Sequence, residues 1–595
     1  MNSMLWKTSR FLFTIVTILS STAVIARDEP ADADGDGLIE IFTLEELNMM
    51  RFDFQGTSLK ASADDMDPNT EGCPISGGCN GYELANDLNF DTNGSGSPDA
   101  GDLFYNSGDG WEPIGTDALR FNGHFNGNGF TINHFFTNYP DTNRVALFGA
   151  AENADYQNVH FTNAHVTGKA YISALIGAYY LNDGSTRTIS DITNTAGTFV
   201  DAGPGSLDFS GGIVGGITIT DGTLNVENTQ AEIAMSDPAQ EEVGGIIGLV
   251  RNSGTINISQ AIANVELIGN VDLGGIIGEF RFDANNAVLN IEDCYVEGSI
   301  SGATIGGIVG IIYSDEDISS TNISISNCNM SAALTSDGRL GGVTQQHDLR
   351  FTASEDVHVF SSTNVLISGE STFARAGTVA GEFSGGIARA GSGLSTEYQY
   401  NTTNSLVVGP QTITDQNPEF LGAYFGTLPV GTNGEITTNL VASYWNTSNS
   451  AFLNDGQDTP GNTGFTEDQI KCVAENDAGE LDTSACQAGM FPDFSTWDTT
   501  LWNFGTSNDL PTFHDYDNDH IWDRNDDDQD NDGVLNDDDA FPLDETETAD
   551  FDGDLIGDNA DTDDDNDGVA DSEDDFPNDP NETKDTDGDG TGDNA

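Results

Sequence analysis

The phrase GGIVGG at Gly211–Gly216 returns as GGIIGL at Gly244–Leu249, GGIIGEF at Gly274–Phe280 and GGIVGI at Gly306–Ile311. Weaker echoes flank it: ALFGA from Ala146, ALIGA from Ala174, GGVTQ from Gly341 and AGEF from Ala380. The closing glycines fall at Gly149, Gly177, Gly215, Gly248, Gly278, Gly310 and Gly381, with Gln345 in the slot between the last two. A step of roughly thirty to thirty-five residues marks a stacked-repeat architecture. Upstream of each phrase, Ile, Val and Leu alternate with Asn or Asp, as in LNIEDCYVEGSI before Gly306 and NISISNCNM before Gly341. Such alternation reads as strand, and glycine pairs mark sharp bends or close backbone approach. The chain is therefore expected to be all-β, a parallel β-solenoid of short strands over about residues 80–510, each coil hydrogen-bonded to its neighbours. Ile213, Ile246, Ile276, Ile308 and Val343 should stack in one interior column, each contributing roughly 1.5–3 kcal/mol by burial.

The phrase fits neither a membrane span nor a phosphate site. Its apolar run is far short of the roughly twenty residues of a membrane helix. No Lys-Ser/Thr follows it, as a phosphate-cradling loop requires. A membrane barrel alternates apolar and polar residues, but does not bring back one glycine pair at a fixed step.

The first twenty-six residues read as a secretory signal: Lys7 and Arg10 ahead of an apolar run Phe11–Leu19, then the small-residue site Val24-Ile25-Ala26. The protein is expected to be secreted or extracellular, with no transmembrane segment. The net charge is −81, from 99 acidic and 18 basic residues. That field repels nucleic acid and anionic membranes and attracts cations. Six cysteines suit an oxidising compartment. Cys73 with Cys79, and Cys472 with Cys486, flank short loops and are expected to bond. Cys294 and Cys328 occupy matching places in successive repeats, about 4.8 Å apart if the coils stack, and are adjacent as a bond or as two thiols.

Asp32, Asp34, Asp36 and Glu40 place oxygen ligands at the first, third, fifth and ninth positions of a calcium loop, with Gly37 at the sixth. A short helix follows. Thr43 is its N-cap, Glu46 completes a capping box, and Leu44 and Leu47 form an apolar face that closes the first coil.

Downstream come YELANDLNFDTN, then WEPIG at Trp111, then FNGHFNGNGFTINHFF at Phe121. With the GG-apolar-apolar-G phrases and the closing passage SYWNTSNS…GFTEDQI…WDTTLWNFGTSNDLP, this ordered set resembles the GLUG-repeat proteins of bacterial surfaces. Similar repeats occur in non-catalytic parts of some immunoglobulin-A peptidases. The resemblance covers about residues 38–513 and implies a right-handed parallel β-helix. Register is expected to weaken over Val357–Tyr400.

From Asp515 the composition changes to Asp, Asn and Gly, with turns starting at Asp515, Asp528, Asp550, Asp563 and Asp585 and FPLD and FPND between them. The segment resembles thrombospondin type 3 repeats, whose aspartates bind calcium. That resemblance implies Ca2+ ligands at Asp515, Asp517, Asp519, Asp523 and Asp526, and at Asp528, Asp530, Asp532, Asn536 and Asp539. It implies others at Asp550, Asp552, Asp554, Asp558 and Asp561, and at Asp563, Asp565, Asp567, Asp571 and Asp574. Gly568 would make the fourth turn and the Val569 carbonyl would be its backbone ligand. The last turn offers Asp585, Asp587, Asp589 and Asp593 and runs out before its twelfth position. His520 and Leu555 stand where the turn glycine is expected. A plain solvated acidic tail does not explain these fixed offsets.

No H-E-x-x-H or G-x-S-x-G occurs, and no cysteine stands beside a histidine. Arg281 with Asp283 and Arg339 with Asp337 read as surface charge at turns rather than as the machinery of a polysaccharide lyase or hydrolase, the alternative enzyme reading. The organisation expected is a signal (1–26), a calcium-like loop and cap (27–51), a β-helix (52–513) and a calcium-binding tail (514–595). The function expected is a structural or adhesive surface protein, with extracellular glycans or surface proteins as partners.

Overall fold

The computed structural model describes residues 32, 34–59, 78–201, 209–236, 241–318, 320–344, 347–351, 357–373, 389–390, 397–408, 411–413, 435–441, 443–447, 463–476, 481–487, 490–507, 509–586, 588 and 590–594. The signal segment 1–26, Cys73, Gln345 and Gly381 lie outside the described residues, as do Asp587, Asp589 and the side chains of Asp337 and Arg339.

Parallel pairing starts at Ile39–Ile41, which lies beside Gly81–Leu84, and runs to Tyr444–Asn446 beside Thr463–Phe465. One wall is a sheet of eight strands among the described residues: Phe148–Glu152, Ile176–Leu181, Val214–Ile219, Ile247–Asn252, Ile277–Phe282, Val309–Asp317, His347–Phe351 and Arg389–Ala390. The remaining walls come from long strands such as Thr223–Ser236, Thr255–Ile268 and Val288–Gly306, each paired residue for residue with the next. This is a parallel β-solenoid.

The predicted interior column is present. Ile213, Ile246, Ile276, Ile308 and Val343 are fully buried. Their backbones chain together, the N–H of each of the first four donating to the carbonyl of the next at 2.9–3.1 Å. The glycine pairs are explained by close approach, not by left-handed φ. A Cβ on Gly245 would lie 2.0 Å from the Gly275 carbonyl oxygen, and one on Gly307 would lie 2.1 Å from that of Gly342. Gly244, Gly274 and Gly306 would strike a carbonyl of their own turn at 1.9–2.0 Å.

The strands are longer than expected because each bends without breaking. Asn158, Asp191, Asn228, Gln260, Asp293, Asn327, Asn364 and Asn404 have φ between 46° and 56° and stand in one register column. Asn and Asp tolerate that conformation better than other residues with a Cβ. Each bend slips the alternation by one residue: Ile256 and Ile258 point inward before Gln260, then Ala261, Ala263, Val265 and Leu267 after it. Side chains along the column also bond, as Asn228 to Asp191 and Asn364 to Asn327, both at 2.9 Å.

Cys294 and Cys328 are paired in register just past this bend, buried, and bonded to each other. Cys472 and Cys486 are also bonded. Cys79 is in a disulfide, while Cys73 lies outside the described residues.

The helix Leu44–Met49 caps the first coil, with Leu44, Leu47 and Met50 buried. Thr43 accepts the Glu46 N–H at 3.2 Å. The returning bond from the Glu46 carboxylate reaches Phe42 N–H at 2.7 Å rather than Thr43, so the box is offset by one residue. Two further expectations change. Within Val357–Tyr400, residues 374–388 and 391–396 lie outside the described residues, but register holds at Val357–Ile367, which pairs in step with Ser320–Met330 and, over Val357–Thr363, with Glu397–Thr403. Among the described residues of 466–513 no further coil forms. The helix Glu467–Lys471 and two short antiparallel pairs fold back on the outside of the solenoid, where Phe494, Trp497, Leu501, Trp502 and Phe504 cover Leu366, Leu406 and Tyr444.

Candidate metal centres

In the tail, sequence dictates a tight turn whose backbone organises its own carboxylates. The sixth N–H donates to the first carboxylate, as Gly533 to Asp528 at 3.1 Å, Leu555 to Asp550 at 3.1 Å and Gly568 to Asp563 at 3.0 Å. The fifth donates to the third, as Asp532 to Asp530 at 3.3 Å, and the seventh to the fifth, as Val534 to Asp532 at 2.7 Å. Closing the turn requires positive φ at the fourth and sixth positions. Asn518, Asn531, Gly553, Asn566 and Gly588 supply the fourth, and His520, Gly533, Leu555, Gly568 and Gly590 the sixth.

In the second and fourth turns these carboxylates spend one oxygen on the backbone and leave the other buried, whereas Asp550 and Asp585 use both oxygens on backbone N–H groups. In the second turn Asp528 Oδ1, Asp530 Oδ2, Asp532 Oδ2 and Asp539 Oδ2 are buried with no hydrogen-bond partner. In the fourth, Asp563 Oδ1, Asp565 Oδ2 and Asp574 Oδ2 are in the same state. Asp528, Asp530 and Asp532 bring ligand atoms within 4.8 Å of one another, as do Asp515, Asp517 and Asp519. Orphaned buried carboxylate oxygens converging on one point fit a hard divalent cation, for which oxygen donors are the preferred ligands.

The ninth position plays a different part. Asp523, Asn536, Asp558, Asp571 and Asp593 each accept the N–H of the second residue of their own turn, at 2.8–3.0 Å. Asn536 also donates its amide to the Asp526 carbonyl at 2.7 Å, so both ends of that side chain are used within the turn. Asp561 orients the next turn by accepting the Asp563 N–H at 3.1 Å. Turns are also linked in pairs, Asn531 donating to Asp517 and Asn566 to Asp552. In each spacer a buried glutamate, Glu547 or Glu582, accepts the N–H of Asn559 or Asn594 at 2.8–2.9 Å.

These like charges shift one another. Burial, then Asp517, Asp526 and Asp515, push the Asp519 carboxyl up to about 6. Asp530 is raised by burial and by Asp532 and Asp539, and Asp565 by burial and by Asp567, Asp574 and Asp563.

The base of the tail is docked on the solenoid. His520 stacks on Tyr295 with ring centroids 3.8 Å apart. Trp522 is buried, and its indole N–H donates to the Asn327 carbonyl at 3.1 Å. Arg524 pairs with Asp293, and Asn525 donates to the same carboxylate at 2.9 Å. Asp293 and Asn327 belong to the bend column, so the first turn sits against that ladder.

At the other end, Asp32, Asp34 and Asp36 come together in a turn of the same kind, with Gly35 at φ 83° and Gly37 at φ 98°. Glu40 joins Asp34 in a second group whose third member, Glu83, lies outside the loop spacing. Burial, then Asp36, Asp34, Glu40 and Asp32, push Glu83 up to about 7. The two glutamates come side by side only once the strands carrying LIEI and GYEL pair, so loop spacing alone could not find Glu83. Arg281 and Asp283, read as surface charge at turns, have separate partners: Arg281, in strand Ile277–Phe282, binds Glu279 at 2.9 Å and overlies Tyr313, while Asp283 binds Arg251 at 2.9 Å.

No family model matches the chain. A protein of Evansella cellulosilytica, provisionally named a Gly-rich membrane protein, is 46% identical over 77 residues, covering 12% of this chain and 9% of that one. Halomucin of Haloquadratum walsbyi is 34% identical over 117 residues, 19% of this chain and 1% of halomucin. The chain therefore spans less than a tenth of the length of these curated relatives. Among solved structures, a provisionally assigned immunoglobulin A1 protease from Bacteroides ovatus aligns over 80% of this chain and 92% of that one, at 15% identity and a TM-score of 0.30. Among the described residues no helix is long and apolar enough to cross a membrane.

Proposed function

We propose that this is a secreted or cell-surface calcium-binding protein with a structural and adhesive role. The solenoid is its binding surface for extracellular glycans or surface proteins, and the Asp-rich tail is a calcium-ordered extension. The observation that carries the calcium half is the set of inward, orphaned carboxylate oxygens at Asp528, Asp530, Asp532 and Asp539, repeated at Asp563, Asp565 and Asp574. The resemblance to thrombospondin type 3 repeats points the same way. The adhesive half is supported by the resemblance to GLUG-repeat surface proteins, and the partial matches to a membrane protein and a halomucin fit a surface location. No chemistry beyond binding is proposed.

Equilibrium dialysis of the intact chain tests the first half. Saturable uptake of several calcium ions is expected, reduced when Asp530 and Asp565 are both replaced by Asn. No saturable uptake at millimolar calcium would overturn it. For the second half, an array of extracellular glycans and matrix proteins should retain the chain in calcium, and an array that retains nothing removes the adhesive role.

A further inference from the structure

The N-terminal turn has a ligand problem that the tail turns do not. Each complete tail turn ends on an aspartate at its twelfth position: Asp526, Asp539, Asp561 or Asp574. Counting from Asp32, the twelfth residue is Thr43, and its hydroxyl is already engaged by the Glu46 N–H at 3.2 Å. A carboxylate arrives instead from another strand. Ile39–Ile41 and Gly81–Leu84 pair in parallel with Glu40 directly opposite Glu83, so both side chains leave the same face. Both are buried, Glu83 at 3% exposure and Glu40 at 6%. Like charges directly opposite in a sheet are destabilising, and burial makes this worse. No hydrogen bond or ion pair reaches the Glu83 carboxylate from any described residue. Its ligand oxygen instead lies within 4.8 Å of those of Asp34 and Glu40, while Asp34 is equally close to Asp32 and Asp36.

We propose that Asp32, Asp34, Asp36, Glu40 and Glu83 form one calcium site that clamps the N-terminal cap to the first coil, Glu83 being the ligand supplied across the strand pair. The site makes capping conditional on the ion. With calcium bound, strand Ile39–Ile41 and the helix behind it are held on the solenoid end. Without it, two buried glutamates face each other and the cap loosens. The proposal rests on the calcium reading of the Asp-rich turns, but concerns a different end of the molecule.

Site-resolved hydrogen exchange on the intact chain separates the two. Sites of extracellular type bind with Kd of roughly 10⁻⁴ to 10⁻³ M, so a calcium excess of about ten times Kd should slow exchange at residues 39–47 and 81–84 about tenfold relative to chelator. Glu83→Gln should shrink that difference from both sides: less protection in calcium, and more in chelator because a repulsion is gone. The tail, residues 515–594, should keep its full calcium response and so report that the variant is folded. An unchanged calcium response at residues 39–47 in Glu83→Gln overturns the assignment of Glu83. A calcium response confined to the tail in the unaltered chain overturns the clamp and leaves the tail reading standing. No response at either end overturns both.

Discussion

Two residues show how one backbone demand is met in different ways. The sixth position of each tail turn needs positive φ, and His520 and Leu555 meet it at 74° and 76° despite carrying a Cβ. His520 is compensated by its ring stacking on Tyr295. Leu555 is 82% exposed and gains nothing in return. The left-handed conformation costs a residue with a Cβ roughly 1–2 kcal/mol, part of which glycine gives back in unfolded-state entropy. Leu555→Gly should therefore stabilise the third turn by about 0.5–1 kcal/mol. Turn-by-turn exchange protection in calcium measures it, and unchanged or reduced protection would contradict the account. Asp519 supplies a pH dependence of definite sign. Its carboxyl sits near 6 in the folded turn, above the ordinary carboxylate range, so the ion-free folded state binds the proton more tightly than the unfolded one. The destabilisation is fully present above about 6 and is relieved as pH falls toward about 3.9. Calcium competes with that proton, so calcium affinity of the first turn should fall as pH drops through 6. Titrations at about pH 7 and pH 5 check this, and equal affinities would refute it.

At the scale of the element, the glycine phrase and the alternating runs made the solenoid legible, because both are local consequences of stacking. A Cβ at Gly245 would meet the Gly275 carbonyl at 2.0 Å, which belongs to the backbone of the next coil and cannot rotate away. Gly245→Ala should cost at least the roughly 1–3 kcal/mol typical of overpacking, read as a lowered Tm of the intact chain. An unchanged Tm would mean the coils are not in that contact. The bend column was harder to see. Its only trace is a one-residue slip in alternation, as between Ile291 and Cys294 across Asp293, and period-two reading absorbs such a slip as noise. The tail turns were legible through fixed offsets. Glu83 was not, because its relation to Glu40 exists only after two strands pair.

For the whole molecule, the folding-back of residues 466–526 could not be read from periodicity. It depends on apolar residues pointing outward from the coils, Leu366, Leu406 and Tyr444, meeting aromatics far along the chain. It gives the tail a fixed root at Trp522 and Asp293 instead of a free hinge. Beyond that root, the segment contains few apolar side chains, and Leu535, Leu543, Phe551 and Ile556 are exposed. It does not bury enough surface to offset roughly 1–2 kcal/mol of backbone entropy per residue, so on the proposed calcium reading its order comes from ions gathered by its carboxylates. The most direct test is limited proteolysis of the intact chain, with small-angle scattering alongside, in millimolar calcium and in excess chelator. The account predicts that chelator expands the molecule and opens cleavage sites across residues 527–594 while the disulfide-braced solenoid stays intact. Identical scattering and identical cleavage in the two conditions would contradict it.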